Sequence, residues 1–576
     1  MRPAMADQDH LGCLCVVLHG HLPYVLHHGT HPHGEAWLYE AAAETYLPLL
    51  DVIGEVALHK SRPALTVGLT PVLLEQLSQE HFKSGFVQYL NERAGRARQD
   101  RADFERKNES HFAFLAERWE KWFARRLEHF ERIGRDIPGQ FAARWREGHL
   151  QCLTSNATHA YMPLLLNDEM IRAQLACGTA TTRRLLPGGE ARGMWLPECA
   201  YRPTVPNWRP VALYDNPRPR GGLEYFIAQA GIDHFFVDSH MVARGQPLGT
   251  WDPPTRGFHA LGDAQVHWDA GRGWRDPLQP VGVASEPGPP VCFALARHPR
   301  VSEQVWSGKI GYPGSGEYLE FHRKQGDRGL RYHRVTSTTT PIGDKRPYDP
   351  DAVFGKLYEH SQHFCNVVRD ALREFRDRNG GRPGVCVAPF DAELFGHWWF
   401  EGPQFLRDVI FTLSRDPQVK LLTAQEALEQ YPPDKVMRLP EGSWGEGGTH
   451  HVWNNERNRW MWEMEYRAEG RFLQLLHALP WRQNARVREM MERAARELLL
   501  LQASDWAFVI HTHGAVDYGI QRFAGHCTRF DHATRIAEEL STGGTLGPIH
   551  RVQVQEMDLH DVVFPAIDLN WWMVGG

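Results

Sequence analysis

The sequence lacks the features that mark disulfide-stapled, zinc-ribbon or nucleic-acid-binding proteins. Its nine cysteines are scattered over 576 residues with no CxxC pair among them, so neither a disulfide framework nor a zinc ribbon is predicted. Positive charge is not in excess, because 64 Lys and Arg residues oppose 70 Asp and Glu residues and leave a formal net charge of −6. Such a chain has no large positive field for a phosphate backbone, and we expect no nucleic-acid partner.

Long apolar runs are also missing. None approaches the roughly 18 residues that a membrane span requires. The apolar stretch 11–18 is short, follows Asp7 and Asp9, and precedes no small-residue cleavage site, so it does not indicate a signal peptide. Scattered, unpaired cysteines are typical of a reducing compartment. We therefore expect a cytoplasmic protein without a membrane partner.

Two residue types are abundant. The chain has 20 tryptophans, roughly one residue in 29, and 32 histidines. Indole faces pack against the C–H face of a sugar ring, while His, Asp, Glu and Arg bond sugar hydroxyls, so this composition favours a carbohydrate ligand. A single tryptophan is more often core, and only tryptophans beside polar turns outside periodic segments support the carbohydrate hypothesis.

Short apolar strands alternate with helical periodicity over the first two-thirds of the chain. The predicted strands cover 13–19, 64–69, 151–154, 193–196, 234–238, 291–295 and 385–389. A strand followed by a polar loop and a helix, repeated six or seven times, predicts an α/β barrel.

Two regions depart from this alternation. Residues 80–150 are rich in Glu and Arg and have helical periodicity without a strand signal, and after about residue 430 strand signals nearly vanish. Amphipathic helices are predicted at 455–477, 484–504 and 529–540. The predicted division is a catalytic barrel over 1–79 and 151–430, an inserted helical subdomain over 80–150, and a C-terminal helical domain over 431–576.

Candidate active-site residues are those just beyond the carboxyl ends of barrel strands. By this criterion His19 and His21 follow the first strand, Glu198 follows the strand at 193–196, and Asp391 follows the strand at 385–389. Cleavage of a glycosidic bond requires two carboxyl groups. One attacks or stabilises the anomeric carbon, and the other protonates the leaving oxygen.

Several longer segments, taken together and in order, are far more specific. They are LHGHLPYV at 18–25, CLTSNATHAYMPLL at 152–165, GMWLPECAY at 193–201, RHPRVSEQVWSGKIGYPGSGEYLEFHRK at 297–324, APFDAELFGHWWFEGP at 388–403, GSWGEGGTHHVWNN at 442–455 and LQASDWAF at 501–508. On these segments nearly the whole chain resembles glycoside hydrolase family 57, and within it the α-1,4-glucan branching enzymes.

The resemblance implies a fold and a reaction. The expected fold is a (β/α)7 barrel with an inserted helical domain and a C-terminal α-helical domain. The expected reaction is retaining glycosyl transfer, which cleaves α-1,4 bonds and forms α-1,6 branches in a glycogen-like glucan, with Glu198 as nucleophile and Asp391 as general acid/base. The implied partner is the α-1,4-glucan alone; we expect a monomer that needs no cofactor and no metal.

The resemblance also implies glucan-binding residues. Arg297, Gly314, Trp444 and Asp505 match positions that contact the glucan. Aromatic residues of the cleft and hydroxyl-bonding histidines are matched by Trp37, Trp306, Trp453, His19 and His21.

Some alternatives remain open at this stage. His19 and His21 form an HxH pair that could bind metal as in a polysaccharide deacetylase-like barrel, but no third ligand is evident at a matching spacing. Glu393 is expected to form a structural ion pair. Gly314 could be only a turn residue, and Trp453 could pack against a helix. A non-catalytic glucan-binding protein would require the carboxylates to lie outside any cleft.

One departure from the family concerns the loop after the nucleophile strand. Branching enzymes of this family carry a tyrosine there, which is thought to shield the glycosyl ester from water, whereas 239–291 contains no tyrosine. Trp251, Trp268 or Trp274 could replace it. Otherwise hydrolysis is favoured, so an α-amylase or a 4-α-glucanotransferase of the same family is the alternative function.

Overall fold

The computed structural model describes residues 10–30, 33–212, 217–262 and 274–573. Within these ranges no helix combines the length and the apolarity that crossing a membrane would take.

The strands, numbered in chain order, are β1 Gly12–Gly20, β2 Leu65–Leu69, β3 Leu150–Leu153, β4 Gly193–Met194, β5 Val205–Trp208, β6 Arg218–Arg220, β7 His234–Val237, β8 Gln246–Asp252, β9 Gly257–Ala260, β10 Val281–Val283, β11 Cys292–Ala296, β12 Lys324–Gln325, β13 Leu330–Arg331, β14 Gly384–Asp391, β15 Val419–Leu421 and β16 Lys435–Arg438. Each predicted strand corresponds to one of these within two residues at either end.

The α-helices are α1 Glu35–Ala41, α2 Leu47–Leu58, α3 Pro71–Ser78, α4 Glu80–Arg106, α5 Ser110–Arg132, α6 Ile137–Arg146, α7 Asp168–Leu185, α8 Leu223–Gln229, α9 Ser239–Ala243, α10 Pro299–Trp306, α11 Pro350–Arg378, α12 Gly402–Leu413, α13 Ala424–Gln430, α14 Arg459–Ala478, α15 Ala485–Leu501, α16 Ser504–His511, α17 Val516–Ser541 and α18 Pro548–His560. A π-helical turn, Ala42–Tyr46, joins α1 to α2.

Seven parallel strands close into a barrel. β14, β1, β2 and β3 form one run, and β4, β7 and β11 form another. Two parallel bridges join the runs, one between Thr154 and Met194 and one between Arg297 and Val387. The expected (β/α)7 barrel is therefore confirmed, with its ring completed by single bridges.

Alternation along β1 shows why this segment suits the barrel. Cys13, Cys15 and Val17 belong to the small apolar cluster that fills the barrel interior, while Leu14 and Val16 belong to the larger core beneath the helices. Successive side chains of a strand point to opposite faces, and both faces are buried here, so the run is continuously apolar. His19 continues the inward series at the carboxyl end of the strand.

Outside the ring, β10 runs antiparallel to β11 and extends the sheet through β16, β8 and β9. Much of the long segment 240–290 is therefore ordered as a hairpin, which the sequence pattern did not predict. α4 and α5 lie in the predicted insertion, and α14 to α18 form the helical C-terminal region.

Candidate active site

A cleft of about 910 Å³ opens at the carboxyl ends of the barrel strands. Ten of the eleven predicted site residues line it: His19, His21, Trp37, Glu198, Arg297, Trp306, Asp391, Trp444, Trp453 and Asp505. Gly314 is not among the lining residues. It ends the 3₁₀ turn Tyr312–Gly314, and a Cβ there would lie 3.2 Å from the Thr338 side chain, so the structure favours its alternative interpretation as a turn residue.

Glu198 lies on a sharp turn directly after β4. Its backbone is left-handed, with φ 61° and ψ 21°, and Cys199 beside it has φ 48°. Non-glycine residues rarely adopt this conformation, which costs on the order of 1–3 kcal/mol and persists only where the surroundings impose it. Here the Trp444 backbone N–H donates to the Glu198 carbonyl oxygen at 3.0 Å. The turn thereby directs the carboxylate into the cleft.

Two donors hold the Glu198 carboxylate. Trp444 Nε1 donates to Oε2 at 2.8 Å, and Ser504 Oγ donates to Oε1 at 3.1 Å. Burial raises the pKa of Glu198 to about 7, against the opposing effect of these two hydrogen bonds. Burial therefore favours the protonated form of Glu198, and the two hydrogen bonds favour the anion that a nucleophile must be.

Asp391 is the last residue of β14 and pairs in register with His19 of β1. Burial raises its pKa well above the usual range, with further increases from the neighbouring Glu393 and Glu198 charges, while Arg297 acts in the opposite direction. This environment favours the protonated form of Asp391, the form that can act as an acid.

Arg297 is only partly available to Asp391. Its Nη2 is paired with Asp238, and its guanidinium carbon lies 5.9 Å from the Trp444 ring centre. Because the Arg297 charge is paired with Asp238, it lowers the pKa of Asp391 too little to offset burial.

A stack of histidines forms the floor of the cleft beside Glu198. The rings of His21 and His159 lie 3.9 Å apart, those of His19 and His159 lie 5.0 Å apart, and His19 stacks on Trp195 at 4.7 Å. Burial lowers the pKa of His19 and His159 well below the usual value. These two imidazoles are therefore neutral.

His21 differs from its neighbours. Burial opposes its protonation, but Asp505, whose two carboxylate oxygens each lie 3.0 Å from His21 Nε2, outweighs that effect and raises the pKa. Thr70 Oγ1 lies 3.0 Å from His21 Nδ1. Asp505 therefore favours the protonated form of His21, which would make the two an ion pair at the cleft wall.

The structure shows no third ligand for the pair of His19 and His21 among the described residues, but it brings His21 together with two other possible ligands. His21, His159 and Asp505 each offer one ligand atom within 4.8 Å of the others, a set whose chemistry suits zinc. His159 lies 138 residues after His21, and Asp505 lies 346 residues after His159, so the sequence did not reveal this set. His21 Nε2 and the Asp505 carboxylate already contact each other at 3.0 Å, and the absence of a metal remains a prediction.

The predicted cleft aromatics differ in exposure. Trp306 and Trp444 are partly exposed and meet edge to face with their ring centres 5.6 Å apart. Trp37 is also partly exposed, and its ring centre lies 5.7 Å from that of Tyr518. Trp453 is only 1 % exposed and stacks on Tyr161 at 4.6 Å, so it contributes an edge to the wall rather than an open face.

The expectation for Glu393 was wrong. Among the residues that the structure describes, it has no ion pair; its Oε1 accepts hydrogen bonds from Tyr46 Oη at 2.5 Å and from the His21 backbone N–H at 3.2 Å. Burial raises its pKa. Glu393 therefore ties the π-helical turn at Tyr46 to the end of β1.

Trp251 and Trp274, two of the three loop aromatics proposed to shield the ester, lie at the end of the barrel opposite the cleft. The Trp251 backbone N–H donates to the carbonyl oxygen of Asp434. The Asp434 carboxylate pairs with Arg382 at 2.5 Å, and Arg382 lies two residues before the start of β14. Lys435 Nζ lies 5.5 Å from the Trp274 ring centre. Asp391 ends the same strand roughly 20 Å away, so neither tryptophan covers Glu198. Trp268 lies outside the described residues.

Sequence reasoning did not select every cleft residue. His159 and Phe508 line the cleft, and Ser504 contacts the nucleophile. All three lie inside the segments 152–165 and 501–508 that carry the family resemblance. That position was the available signal, since a serine, a histidine or a phenylalanine has no distinctive spacing of its own.

Comparison with known proteins agrees with this geometry. The family model for glycosyl hydrolase family 57 matches residues 15–440, and the model for the C-terminal region of 1,4-alpha-glucan branching enzymes matches residues 465–572. A 1,4-alpha-glucan branching enzyme of Thermococcus kodakarensis is 36 % identical over 561 residues, which cover 96 % of this chain and 78 % of that relative.

Solved structures show the same similarity. A family 57 branching enzyme of Pyrococcus horikoshii superposes with a TM-score of 0.86 at 34 % identity, covering 98 % of this chain and 97 % of that one. The α-amylase AmyC of Thermotoga maritima superposes with a TM-score of 0.80 at 28 % identity, covering 98 % and 99 %.

Proposed function

The chain belongs to glycosyl hydrolase family 57, and we propose that it is a 1,4-α-glucan branching enzyme with Glu198 as nucleophile and Asp391 as general acid/base. The observation that carries the catalytic assignment is the pair of carboxyl groups in one cleft with opposite surroundings. Glu198 accepts two hydrogen bonds that favour its anion, whereas Asp391 is buried beside other acids that favour its protonated form.

In the first half of the reaction, an oxygen of the Glu198 carboxylate attacks the anomeric carbon of an α-1,4-linked glucose unit. The bond from that carbon to the glycosidic oxygen breaks, and the Asp391 proton passes to the departing oxygen. The product is a glucan chain esterified to Glu198 and a released chain with a free 4-hydroxyl.

In the second half, the same two residues exchange their tasks. Esterification removes the Glu198 charge, which is one cause of the raised Asp391 pKa, so Asp391 becomes a stronger acid and remains as a carboxylate. It takes the proton of a 6-hydroxyl on the acceptor glucan, whose oxygen attacks the anomeric carbon. The ester bond breaks, Glu198 is released as an anion, and an α-1,6 branch is formed.

The remaining cleft residues bind the glucan in this proposal. The partly exposed indoles of Trp306, Trp444 and Trp37 offer apolar faces to sugar rings. Arg297 and the His21–Asp505 pair offer donors and acceptors to hydroxyl groups. We assign Gly314 no contact with the glucan.

A second candidate, an α-amylase on the same scaffold, is favoured by two observations. Trp251 and Trp274 are too remote to keep water from the ester, and a Thermotoga α-amylase shares the fold over almost the whole chain. The deciding experiment is incubation with amylose, followed by counting α-1,6 branch points against new reducing ends. Branch points in excess support the branching enzyme; reducing ends without branch points identify the amylase.

The proposal extends to the cellular location, the domain division and the oligomeric state. All nine cysteines are buried and unpaired, as in a cytoplasmic enzyme. The proposed division keeps 1–79 and 151–430 as the barrel, 80–150 as the insertion and 431–576 as the C-terminal domain. We propose a monomer, since the cleft residues described here all come from one chain.

A further inference from the structure

We propose that Ser504, oriented by His159 and His19, is a positioning residue that holds the Glu198 carboxylate in its ionised, attacking form. The inference rests on the proposed role of Glu198. Its basis is a continuous line of contacts: His19 Nε2 to His159 Nε2 at 3.1 Å, His159 Nδ1 to Ser504 Oγ at 2.9 Å, and Ser504 Oγ to Glu198 Oε1 at 3.1 Å.

The direction of each proton in this line follows from the acceptor at its end. An ionised carboxylate can only accept hydrogen bonds, so the Ser504 hydroxyl must donate to Glu198. The Ser504 oxygen is then free to accept, and the His159 Nδ1–H donates to it. His159 Nε2 is left as an acceptor and receives the Nε2–H of His19.

This arrangement agrees with two further observations. His19 and His159 are buried and neutral, as one-donor, one-acceptor imidazoles must be. His19 Nδ1, which the relay leaves unprotonated, is buried and has no hydrogen-bond partner among the described residues. His159 Nδ1 is 3.8 Å from Glu198 Oε1, too far for a direct hydrogen bond, so Ser504 is the bridge.

The relay joins three parts of the chain. His19 is the second-last residue of β1, His159 lies after β3 in a left-handed conformation with φ 60°, and Ser504 begins α16. The Ser504 N–H donates to the His159 carbonyl oxygen at 3.1 Å, and Ala160 forms an antiparallel bridge with Ala503. The C-terminal helical region is therefore attached to the barrel at the place where it supplies a donor to the nucleophile.

Removal of the Ser504 hydroxyl should make ionised Glu198 less favourable. The carboxylate would keep only its Trp444 donor, so its pKa should rise. A hydrogen bond to a charged group contributes enough to shift a pKa by about one unit. Because Glu198 must be ionised to attack, activity should then be lost at a higher pH on the acidic side.

The experiment measures kcat/KM for total α-1,4 cleavage of amylose as a function of pH, with Ser504→Ala, Ser504→Thr and Ser361→Ala. We expect Ser504→Ala to move the acidic limb up by about one unit and to lower kcat about tenfold at neutral pH, with KM nearly unchanged. Ser504→Thr keeps a hydroxyl, so its acidic limb should lie at the same pH as that of the wild type. Ser361 is a buried serine whose hydroxyl donates to the Tyr358 carbonyl oxygen, and Ser361→Ala should leave the limb in place.

An unchanged acidic limb in a folded Ser504→Ala variant would overturn the proposal. If that variant does not fold, His159→Gln decides, because glutamine can still donate to Ser504 and should keep the limb within about 0.3 units, whereas His159→Leu should raise it. Total cleavage is measured separately from branch points. A wild-type product without branches would thus refute the branching function while leaving the relay testable, and a fully active Glu198→Gln variant would refute the premise of both.

Discussion

Two buried groups of carboxylates, one in the cleft and one among the C-terminal helices, contain the same residue types and differ in the cations that face them. In the C-terminal group, Arg529 Nε lies 2.6 Å from Asp561 and 3.3 Å from Glu497, His526 Nδ1 lies 2.8 Å from Glu497, and His28 Nε2 lies 2.9 Å from Asp561. Burial opposes ionisation of Asp561, but His526, His28 and Arg529 lower its pKa below the usual range.

Among the residues that the structure describes, no cation of the cleft forms an ion pair with Glu198 or Asp391, and His21 is hydrogen-bonded to Asp505 instead. Arg297 is shared with Asp238, and Glu198 is held by neutral donors only. As a result burial prevails there and raises the pKa of both Glu198 and Asp391.

Among the C-terminal helices only Asp561 has a lowered pKa; Glu497 beside it has a raised pKa, because burial and the Asp561 charge outweigh Arg529. The comparison indicates that a counter-charge keeps one buried carboxyl group of a pair ionised, whereas both cleft carboxyl groups are shifted towards the protonated form.

The largest effect should come from Glu198→Gln. An amide cannot form the glycosyl ester, so cleavage and transfer should both fall by at least about a thousandfold, on the order of 4 kcal/mol in the activation barrier. The midpoint of thermal unfolding should not decrease, because this variant removes a buried charge that has no cation. Near-normal turnover would contradict the catalytic assignment.

Arg529→Met should give the opposite result. Removing the cation leaves a buried negative charge unpaired, which typically costs 3–5 kcal/mol in the free energy of unfolding. The pH profile of the folded enzyme should be unchanged, since Arg529 does not line the cleft. Arg535, an exposed residue of the same helix, provides the control: Arg535→Met should change stability by no more than about 0.5 kcal/mol. Equal losses in the two variants would refute the contrast.

Trp444→Phe should have an intermediate effect. It keeps an aromatic face but removes the Nε1–H that donates to Glu198, so kcat should fall about tenfold or more. Trp306→Phe is the matched control, because Trp306 Nε1 donates to the backbone oxygen of Pro389 rather than to a carboxylate. A similar loss in both variants would assign Trp444 to glucan packing alone.

The pH dependence should show the raised pKa values directly. Glu198 must be ionised and Asp391 protonated, so kcat/KM should be bell-shaped, with an acidic limb near pH 7 from Glu198 and an alkaline limb from Asp391. Below the acidic limb the rate should fall tenfold per pH unit. An acidic limb near the ordinary glutamate value, about 4.3, would show that burial does not dominate at Glu198.

The smallest effect should come from Trp251→Ala. Because Trp251 lies beside Asp434 at the opposite end of β14, the ratio of branch points to reducing ends should stay within experimental error. A rise in hydrolysis would place this aromatic over the ester after all and would restore the interpretation that the sequence suggested.

Much of the fold could be predicted from local sequence. The predicted strand 13–19 became β1 because apolar residues on both faces favour a strand buried on both sides. The helical insertion was recognisable from its charge-rich 3.6-residue periodicity. The hairpin β8–β9 was not, since its strands lie in a Gly/Pro-rich segment and their pairing with β16 is a long-range contact.

The candidate site divides in the same way. Glu198, Asp391 and the cleft tryptophans could be chosen from strand ends and family segments. For Gly314 and Trp453 the sequence left a structural alternative open, and two further features could not be predicted at all: the hydrogen bonds of Glu393 and the remote position of Trp251. Each depends on a neighbour far away in the chain.

What the sequence determined by itself is the set of apolar periodicities and motif residues that specify the barrel strands, the helices and the two carboxylates. What only the tertiary structure decided is which groups face those carboxylates. In the sheet, β10 lies antiparallel to β11 and is followed by β16, β8 and β9, which places 246–260 outside the barrel ring. Ser504 contacts Glu198 across 306 residues. The physical reason is that a local pattern encodes which face of an element is buried, whereas pKa values and hydrogen bonds depend on atoms a few ångströms away in space.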